Sequence, residues 1–454
     1  MSTDVTRVGK PLSREEIAQI EVGHTTVSPA VARGLVVVFL VLIAVPAVVD
    51  LIANLRTPGR SYDSWATLAA LPKQVRAKAA EQRASGDEVS LGSKILAVNR
   101  TLLGGLHAFE DGLADESPVF AAFRPPVQAV LSGWLGVGNE RVYQGRDGWL
   151  FYRPDIEYVV GLGFLDPVEI HRRRILERER EWIEPLEPDP RGALIEFKRQ
   201  LERRGIALIV MPTPVKPAMH PEKLASRAGW TVPVQNPSYR AFVDELRRNN
   251  VVVFDVADEL ARASGGETAY LATDTHWRPE TMERTAELLG RLIRSEIHFG
   301  DAPGQSFRVE SRDVTNVGDT AAMLDLPAGH PLARPESVTI HRILTSDGEA
   351  WQPSRSADVL VLGDSFSNIY SLASLGWGDG AGLVEHLSRV LERPIDRILQ
   401  NDDGAYATRA RLRQEIASGS DRLRDKRVVV LQFAARELAS GDWKRIELPS
   451  PDAP

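Results

Sequence analysis

An uncharged apolar run near the N-terminus limits most strongly what this chain can fold into. Residues 34–49 read GLVVVFLVLIAVPAVV, and the run continues to Ile52 past a single acidic residue, Asp50. About 19 residues at ~1.5 Å per residue match the ~30 Å hydrocarbon core of a bilayer. Pro46 is compatible with such a helix, because neighbouring groups can satisfy the carbonyl that it frees. We therefore predict a retained transmembrane helix over residues 34–53.

Two other structures produce a similar run: a buried globular helix and a cleaved signal peptide. A cleaved signal usually begins close to residue 1 and ends at a small-residue site. Here polar residues come first, and no clear Ala-x-Ala site follows the run. Arg33 lies on one side of the run, and Arg56 and Arg60 lie on the other. The distribution of positive charge therefore leaves the orientation open.

The composition of the whole chain is typical of a folded protein. Its 454 residues allow about two or three domains, or one large domain with additions. The 55 Lys and Arg against 62 Asp and Glu give a net charge of −7, which argues against a generally basic protein that binds nucleic acid. The absence of cysteine excludes disulfides, thiolate nucleophiles, iron–sulfur clusters and Cys-ligated zinc. A nucleophile in this chain must therefore carry oxygen or nitrogen.

Residues 54–139 show helical periodicity without obvious catalytic side chains. Apolar residues recur at three- and four-residue steps over 95–109, which gives one apolar helix face. The polar stretch 73–88 fits a helical spacer or a loose linker. Pro125-Pro126 predicts the start of another short helix, which is expected to end near Gly136. We interpret this region as a membrane-proximal helical stalk.

From Val142 the pattern changes to short strands that alternate with helices. The turn GRDG between two β-prone pieces predicts a hairpin over 142–152. Helices are predicted at 171–182, 192–205 and 239–248, and strands at 206–212, 251–256, 358–365, 397–402 and 427–433. Short apolar strands between helices predict an α/β fold with a mostly parallel sheet flanked by helices. In such sheets, binding and chemistry gather at the carboxyl ends of the strands.

One of these strands runs into the sequence Gly-Asp-Ser-Phe-Ser at 363–367. A glycine lets the chain turn sharply, so that Ser365 is expected at the mouth of the sheet. If a helix begins there, its first amide groups favour an oxyanion in the same space. The alternative is that Ser365 only caps that helix, a common use of serine.

A second polar segment, Asp-Thr-His-Trp at 274–277, holds a carboxylate two positions before an imidazole. Residues two apart in an extended segment project to the same side, so Asp274 can orient the ring of His276 and stabilise its protonated form. The alternative for this segment is that Asp274 caps a helix starting near Pro279 and His276 only packs beside it. No HExxH or comparable histidine spacing appears, so no metal site is predicted.

Together, Ser365, His276 and Asp274 supply the nucleophile, base and orienting group of acyl transfer. The segment NDDGAY at 401–406 follows another strand and is a candidate oxyanion site, through the Asn401 amide or the Gly404 backbone N–H. An Asx or glycine turn is the alternative for that segment.

Two aromatic residues near these motifs are candidates for the acceptor groove. Aromatic rings pack well on sugar faces, and Trp277 is next to the proposed base. A core position is the alternative for Trp277. Tyr370, five residues after the serine, is a second candidate of the same kind. Lys216 and His220 also follow a strand, but the sequence gives them no role.

The ordered set of motifs resembles the SGNH-hydrolase-like domain of the alginate O-acetylation proteins AlgJ and AlgX. The resemblance spans residues 140–445 and is carried by GRDGWLFY (145–152), DTHW (274–277), VGDTAAMLDLP (317–327), GDSFS (363–367), NDDGAY (401–406) and REL…GDW (436–443). It implies that Ser365, His276 and Asp274 are catalytic. In this family the Asp–His motif precedes the serine, as it does here.

The resemblance also implies a topology and an activity. The family is periplasmic and transfers acetyl groups to an exopolysaccharide. An anchored member implies a cytoplasmic tail (1–33), an anchor in the bacterial inner membrane (34–53), a stalk (54–139), a periplasmic catalytic domain (140–445) and a C-terminal tail (446–454). The chain ends soon after GDW, which leaves no room for the carbohydrate-binding module of one branch. It is therefore more similar to the membrane-anchored branch.

The implied partners are a polysaccharide acceptor, the cytoplasmic membrane and a membrane-bound O-acyltransferase that supplies acetyl groups. No cofactor and no nucleic acid are expected. Two other functions stay open on the sequence. One is a carbohydrate acetyl esterase that uses the same three residues with water as the acceptor. The other is a non-catalytic polysaccharide-binding subunit of a secretion complex.

Overall fold

The structure, a computed structural model, describes residues 27–56, 64–84, 90–179, 186–226, 232–263, 268–300, 304–401 and 404–449. Most of the predicted cytoplasmic tail lies outside the described residues, as do Asp402 and Asp403. The chain separates into two compact units, one of residues 1–77 and 105–122 and a larger one of residues 78–104 and 123–454. The domain boundaries given above stay predictions.

The transmembrane segment predicted over residues 34–53 lies within a single helix, Pro29–Arg56, which extends beyond it at both ends. Among the described residues it is the one helix that is long and apolar enough to cross a membrane. Most of its apolar side chains are exposed, whereas a buried globular helix would cover them. The helix is therefore compatible with a single-pass membrane anchor.

Three helices follow the apolar one: Ser64–Ala84, Leu91–Glu116 and Pro118–Trp134. The prediction that Pro125-Pro126 opens a helix is wrong, because both prolines lie inside the last of these. That helix begins at Pro118, where a missing N–H costs no helical hydrogen bond. The hydroxyl of Ser117 accepts a hydrogen bond from the Val119 N–H at 3.3 Å and so marks its start.

The larger unit contains a five-stranded parallel sheet and two two-stranded antiparallel sheets. The strands, in chain order, are β1 (Val142–Gln144), β2 (Leu150–Tyr152), β3 (Ala207–Thr213), β4 (Val252–Val253), β5 (Phe307–Asn316), β6 (Glu336–Thr345), β7 (Val359–Gly363), β8 (Asp396–Leu399) and β9 (Val428–Ala434). The parallel sheet has the order β4-β3-β9-β7-β8. One antiparallel pair is the predicted hairpin β1–β2, and the other is β5–β6, which was not predicted and whose strands are separated by the helix Asp319–Met323.

Helices cover both faces of the parallel sheet. On one face, Val359 and Val361 of β7 belong to a core with the helices Pro279–Glu296 and Leu383–Leu391. On the other face, Leu360 and Leu362 belong to a core with the helices Pro190–Glu202, Tyr239–Arg248 and Gly404–Ala417. Alternate residues of a strand project to opposite faces, so an uninterrupted apolar run is required here. The predicted α/β fold is confirmed.

The remaining helices of the described chain have 4 to 13 residues. They are Arg153–Val160, Pro167–Glu179, Lys216–Met219, Pro221–Leu224, Ala257–Ala263, Asp319–Met323, Ser365–Asn368 and Glu437–Ser440, with 3₁₀ turns at Pro331–Ala333 and Ala373–Leu375. The strand predicted at 251–256 is shorter than expected, since only Val252 and Val253 pair with β3. As the edge strand of the sheet, it has a partner on one side only.

A buried ion pair fixes the start of β8, the other edge strand. The carboxylate of Asp396 is fully buried. The Arg422 guanidinium donates hydrogen bonds to both of its oxygens, at 2.6 and 2.9 Å, and the Lys426 ammonium lies 3.3 Å away. A buried carboxylate that loses such a partner is strongly destabilising.

Replacing Arg422 by Met is expected to lower the free energy of unfolding by about 3 kcal/mol, because it leaves the Asp396 charge incompletely paired. The thermal midpoint of the full-length protein in detergent should fall by roughly 5 °C or more. Arg424→Met, which removes an exposed arginine from the same segment, is the control and should stay close to wild type. Equal midpoints for Arg422→Met and wild type would contradict the prediction.

Candidate active site

The hydroxyl of Ser365 lies at the carboxyl end of β7, on the first residue of a short helix. Asp364, and not the serine, is the N-cap of that helix, because its carboxylate accepts the Phe366 N–H at 2.9 Å. The same carboxylate also accepts hydrogen bonds from the Gln432 side chain at 2.8 Å and the Ala434 N–H at 2.6 Å. The alternative in which Ser365 caps the helix is therefore wrong.

The imidazole of His276 joins the serine to the carboxylate of Asp274. His276 Nε2 is 2.8 Å from the Ser365 hydroxyl oxygen, and its Nδ1 is 2.7 Å from Asp274 Oδ1. The same carboxylate oxygen accepts the His276 backbone N–H at 3.0 Å. The helix that starts at Pro279 has Arg278 as its N-cap residue, so Asp274 does not cap it. The structure thus brings together the three residues that the sequence singled out.

The Asp274 carboxylate is almost completely buried and fully hydrogen-bonded. Its Oδ2 accepts the indole N–H of Trp377 at 2.8 Å and the backbone N–H of Asp319 at 3.0 Å. Burial alone would raise the pKa of Asp274. The hydrogen bond and charge of His276, followed by the two donors to Oδ2, outweigh burial and hold the pKa well below its usual range. Asp274 is therefore ionised at neutral pH.

The same interactions act on the imidazole in the opposite direction. Burial would lower the pKa of His276, but the hydrogen bond and negative charge of Asp274, followed by the charge of Asp319, raise it above the ordinary value. An imidazole with this carboxylate on Nδ1 keeps Nε2 free to accept the proton of Ser365. The geometry is that of a serine hydroxyl with a positioned base.

Two charged side chains, Lys216, which is buried, and Glu336, which is partly buried, hold the loop that carries Asp274 and His276. The ammonium of Lys216 donates hydrogen bonds to the carbonyls of Ala272 at 3.2 Å and Leu150 at 2.6 Å. The carboxylate of Glu336 accepts the backbone N–H groups of Ala272 at 3.0 Å and Thr273 at 2.7 Å. Burial lowers the pKa of Lys216 to about 8. Lys216, which the sequence left without a role, thus supports the loop.

Asn401 and Gly404 follow β8, the strand next to β7. Asn401 is exposed, and its side-chain oxygen accepts a hydrogen bond of 3.0 Å from the Asn368 amide. Asn368 belongs to the same short helix as Ser365, so this bond connects Asn401 to the helix that carries the serine. Gly404 is the first residue of the helix Gly404–Ala417, and the first N–H groups of a helix have no partner within it. The predicted oxyanion role of both residues stays a prediction.

The prediction that Trp277 and Tyr370 line an acceptor groove is wrong. Both side chains are fully buried. The Trp277 indole donates a hydrogen bond to the Phe366 carbonyl at 3.2 Å, and the Tyr370 hydroxyl donates one to the Trp277 carbonyl at 2.7 Å. Their polar atoms are therefore satisfied inside the protein, where they fix the loop to the helix of Ser365. The core alternative for Trp277 is the observed one.

One group of side chains among the described residues has ligand atoms close enough to hold a metal ion. It consists of Asp274, His276 and Asp319, whose ligand atoms lie within 4.8 Å of one another. A metal on His276 Nδ1 would have to replace the hydrogen bond from that nitrogen to Asp274. The residues fit an orienting carboxylate better than a metal centre, and the absence of a metal stays a prediction.

Sequence reasoning missed Asp319 and Trp377, which both contact Asp274. Trp377 lies 103 positions after Asp274, and nothing in its local sequence marks it. Asp319 lies in the segment VGDTAAMLDLP, which carries part of the family resemblance but suggests no chemistry by itself. The position of Asp319 in a segment shared with the family is the sequence signal that could have marked it as a site residue.

Comparison with known proteins places this site in a family. The family described as the SGNH hydrolase-like domain of acetyltransferase AlgX matches residues 142–435. The chain belongs to this family. The match confirms the resemblance inferred from the motifs and includes Asp274, His276 and Ser365.

Relatives with assigned names are similar over part of their length. The probable alginate O-acetylase AlgJ of Pseudomonas aeruginosa is 27% identical over 255 residues, which cover 53% of this chain and 57% of AlgJ. The chain thus spans just over half the length of this relative. The alginate biosynthesis protein AlgX of the same organism is 25% identical over 119 residues, 24% of each chain. The solved O-acetyltransferase domain of Pseudomonas putida AlgJ has a TM-score of 0.48 and 20% identity over 66% of this chain and 93% of that domain.

The Asp274–His276 pair predicts a pH-dependent contribution to stability. Because the folded-state pKa of His276 is raised, the pair stabilises the fold fully below about pH 6.5 and loses this contribution as the pH rises through the raised value. The Asp274→Asn variant loses the charge that raises the pKa of His276, whereas burial, which lowers this pKa, remains. The variant is therefore expected to lose stability relative to wild type by about 1–2 kcal/mol more at pH 5.5 than at pH 8.5.

Thermal unfolding of full-length wild type and Asp274→Asn at both pH values measures this difference. Asp325→Asn, which removes a half-exposed carboxylate without contact to His276, is the control and should follow wild type at both pH values. A stability difference between wild type and Asp274→Asn that is the same at pH 5.5 and pH 8.5 would contradict the prediction.

Proposed function

We propose that this protein is a membrane-anchored O-acetyltransferase that transfers acetyl groups to hydroxyls of an extracytoplasmic polysaccharide. The observation that carries the proposal is the continuous hydrogen-bonded series of Ser365, His276 and Asp274 in a member of this family. The names of the relatives support acetyl as the transferred group and a polysaccharide as the acceptor.

In the first half-reaction, the Ser365 oxygen attacks the carbonyl carbon of an acetyl donor. His276 Nε2 takes the hydroxyl proton, and the Asp274 carboxylate stabilises the imidazolium that forms. When the tetrahedral intermediate collapses, the bond from the carbonyl carbon to the donor breaks, and His276 gives its proton to the leaving group. Ser365 then carries the acetyl group as an ester.

In the second half-reaction, a sugar hydroxyl attacks the acetyl ester on Ser365. His276 Nε2 takes the proton of that hydroxyl, and the serine oxygen leaves and recovers a proton from the same nitrogen. The acetyl group is now on the sugar, and Ser365 and His276 are back in their starting states. The two half-reactions use one base, which alternates between accepting and donating a proton.

The oxyanion of each tetrahedral intermediate needs hydrogen-bond donors on the side of Ser365 away from His276. The Ser365 backbone N–H begins a helix, and the Asn401 amide is tied to that helix through Asn368. We assign these donors, together with the Gly404 N–H, to the oxyanion. Removing one such donor typically lowers the rate by about 10²–10³.

Transfer to a sugar competes with hydrolysis of the acetyl ester, so the access of water to Ser365 matters. The exposed fraction is 9% for Ser365 and 5% for His276. If water is kept away from the acetyl ester on Ser365, a bound sugar has more time to attack that ester.

We assign the supply of acetyl groups to a membrane-bound O-acyltransferase. This partner would deliver them on the same side of the membrane as Ser365.

An acetyl ester on Ser365 is the expected signature of the mechanism. Full-length protein incubated with p-nitrophenyl acetate should gain one acetyl group on the peptide that contains Ser365, as seen by mass spectrometry. Ser365→Ala should not gain it, and His276→Ala should form it about 10³-fold more slowly or worse, because the base is missing. Ser356→Ala, which removes an exposed serine nine residues earlier, is the matched control.

Addition of deacetylated polysaccharide should transfer the acetyl group from Ser365 to the polymer. Release of acetate alone, in the presence of the polymer, would indicate an esterase instead. Equal polymer acetylation by wild type and Ser365→Ala would rule out the mechanism.

The proposed topology places the N-terminus in the cytoplasm and the catalytic residues outside the cytoplasmic membrane. The chain has no cysteine, so a single introduced cysteine reports its own side of the membrane. In spheroplasts, a membrane-impermeant maleimide is expected to label Ser356→Cys, whereas Ser2→Cys should be labelled only after detergent is added. Labelling of Ser2→Cys alone in intact spheroplasts would reverse the proposed orientation.

A further inference from the structure

A second carboxylate, that of Asp319, faces the same nitrogen of His276 that Asp274 binds. Asp319 Oδ2 lies 3.7 Å from His276 Nδ1, compared with 2.7 Å for Asp274 Oδ1. The first distance is too long for a hydrogen bond but short for two charges. Two carboxylates thus flank one side of the imidazole, and the Ser365 hydroxyl lies on the other.

Asp319 is held rigidly against the loop that carries the imidazole. Its Oδ1 accepts hydrogen bonds from the Thr275 backbone N–H at 2.7 Å and hydroxyl at 3.0 Å, and its own N–H donates to Asp274 Oδ2 at 3.0 Å. The preceding Gly318 permits this approach, since a Cβ there would lie 2.2 Å from the Thr273 carbonyl oxygen. A movement of Asp319 away from His276 would therefore break its hydrogen bonds to the loop.

Asp319 also differs from Asp274 in its access to solvent. The side chain of Asp319 is 32% exposed, whereas that of Asp274 is 1% exposed. Burial, followed by the negative charge of Asp274, raises the pKa of Asp319 to about 6. Asp319 is thus largely ionised at neutral pH and becomes protonated in mild acid.

The charges that act on His276 come from three segments. Asp274 and Asp319 favour the imidazolium, and the guanidinium of Arg436, which follows β9, opposes it. The buried ammonium of Lys216 interacts electrostatically with both carboxylates. An opposite charge within ~4–6 Å shifts a pKa by roughly one unit or more, with partly exposed groups at the low end.

We propose that Asp319 is a positioning residue whose negative charge, together with that of Asp274, determines how readily His276 takes a proton from Ser365. Its importance for catalysis rests on the proposed function, but its effect on the imidazole does not. A purely structural role, as a latch for Thr275, is the competing explanation. The two explanations make different predictions for a variant that keeps the latch and loses the charge.

Asp319→Asn is that variant, because an amide oxygen can still accept the hydrogen bonds from Thr275. The pKa of His276 in the full-length protein can be followed by NMR of ¹³Cε1-labelled histidine between about pH 5 and pH 9, with the His276 resonance assigned by its loss in His276→Gln. The expected result is a His276 pKa about one unit lower in Asp319→Asn than in wild type.

Asp325→Asn removes a carboxylate six residues further along the same segment and should leave the pKa of His276 unchanged. If Asp319→Asn does not fold, Asp319→Ser, which keeps a short acceptor for the Thr275 N–H, should show the same shift. Equal His276 pKa values in wild type and in the folded Asp319 variant, with only a lower thermal midpoint, would overturn the proposal in favour of the latch.

The acid limb of the pH profile for Ser365 acetylation should move with the NMR value. It is expected about one unit lower in Asp319→Asn than in wild type, with Asp325→Asn unchanged. A shifted imidazole pKa in a protein that never acetylates Ser365 would instead support the role of Asp319 and overturn the proposed function.

Discussion

The ionised carboxylate of Asp274 is the constraint on which the surrounding structure depends. A buried charge is tolerated only where hydrogen bonds and an opposite charge replace water. Asp274 obtains them from its own loop, from the N–H that begins the Asp319 helix and from the indole of Trp377. These groups come from three distant parts of the chain. Satisfying one carboxylate therefore brings the segments of the site together and orients the imidazole of His276 toward Ser365.

The elements of the parallel sheet could be predicted from the sequence. The apolar runs of β3, β7 and β9 are buried on both faces, which leaves a strong signal of composition and length. Ser365 follows such a run directly, and Asp274 and His276 are close in sequence. Their contact with the serine does not follow from strand topology, because the helix Ala257–Ala263 separates their loop from β4. It depends on how that loop packs in the folded chain.

The remaining features depend on contacts that no local pattern encodes. In the β5–β6 pair, β5 is polar and largely exposed, whereas β6 alternates buried apolar residues with polar and charged ones. Neither strand has the uninterrupted apolar run that marked the others. Trp277 and Tyr370 are aromatic residues with a polar atom, and such residues suit a sugar platform as well as a core. Both rings pack in the core, where the Phe366 and Trp277 carbonyls of the folded chain accept the hydrogen bonds of their polar atoms.

Because Asp364 caps the helix, one residue holds the strand-to-helix turn and a different residue, Ser365, carries the reactive hydroxyl. Since this carboxylate, and not the neighbouring hydroxyl, satisfies the N–H of Phe366, the cap of the turn does not depend on the hydroxyl of Ser365. Gln432 and Ala434 of β9 brace the same carboxylate from the adjacent strand. An inert form of the protein that lacks only the serine oxygen should therefore retain its binding surface, which makes it a suitable species for trapping donor or acceptor in a complex.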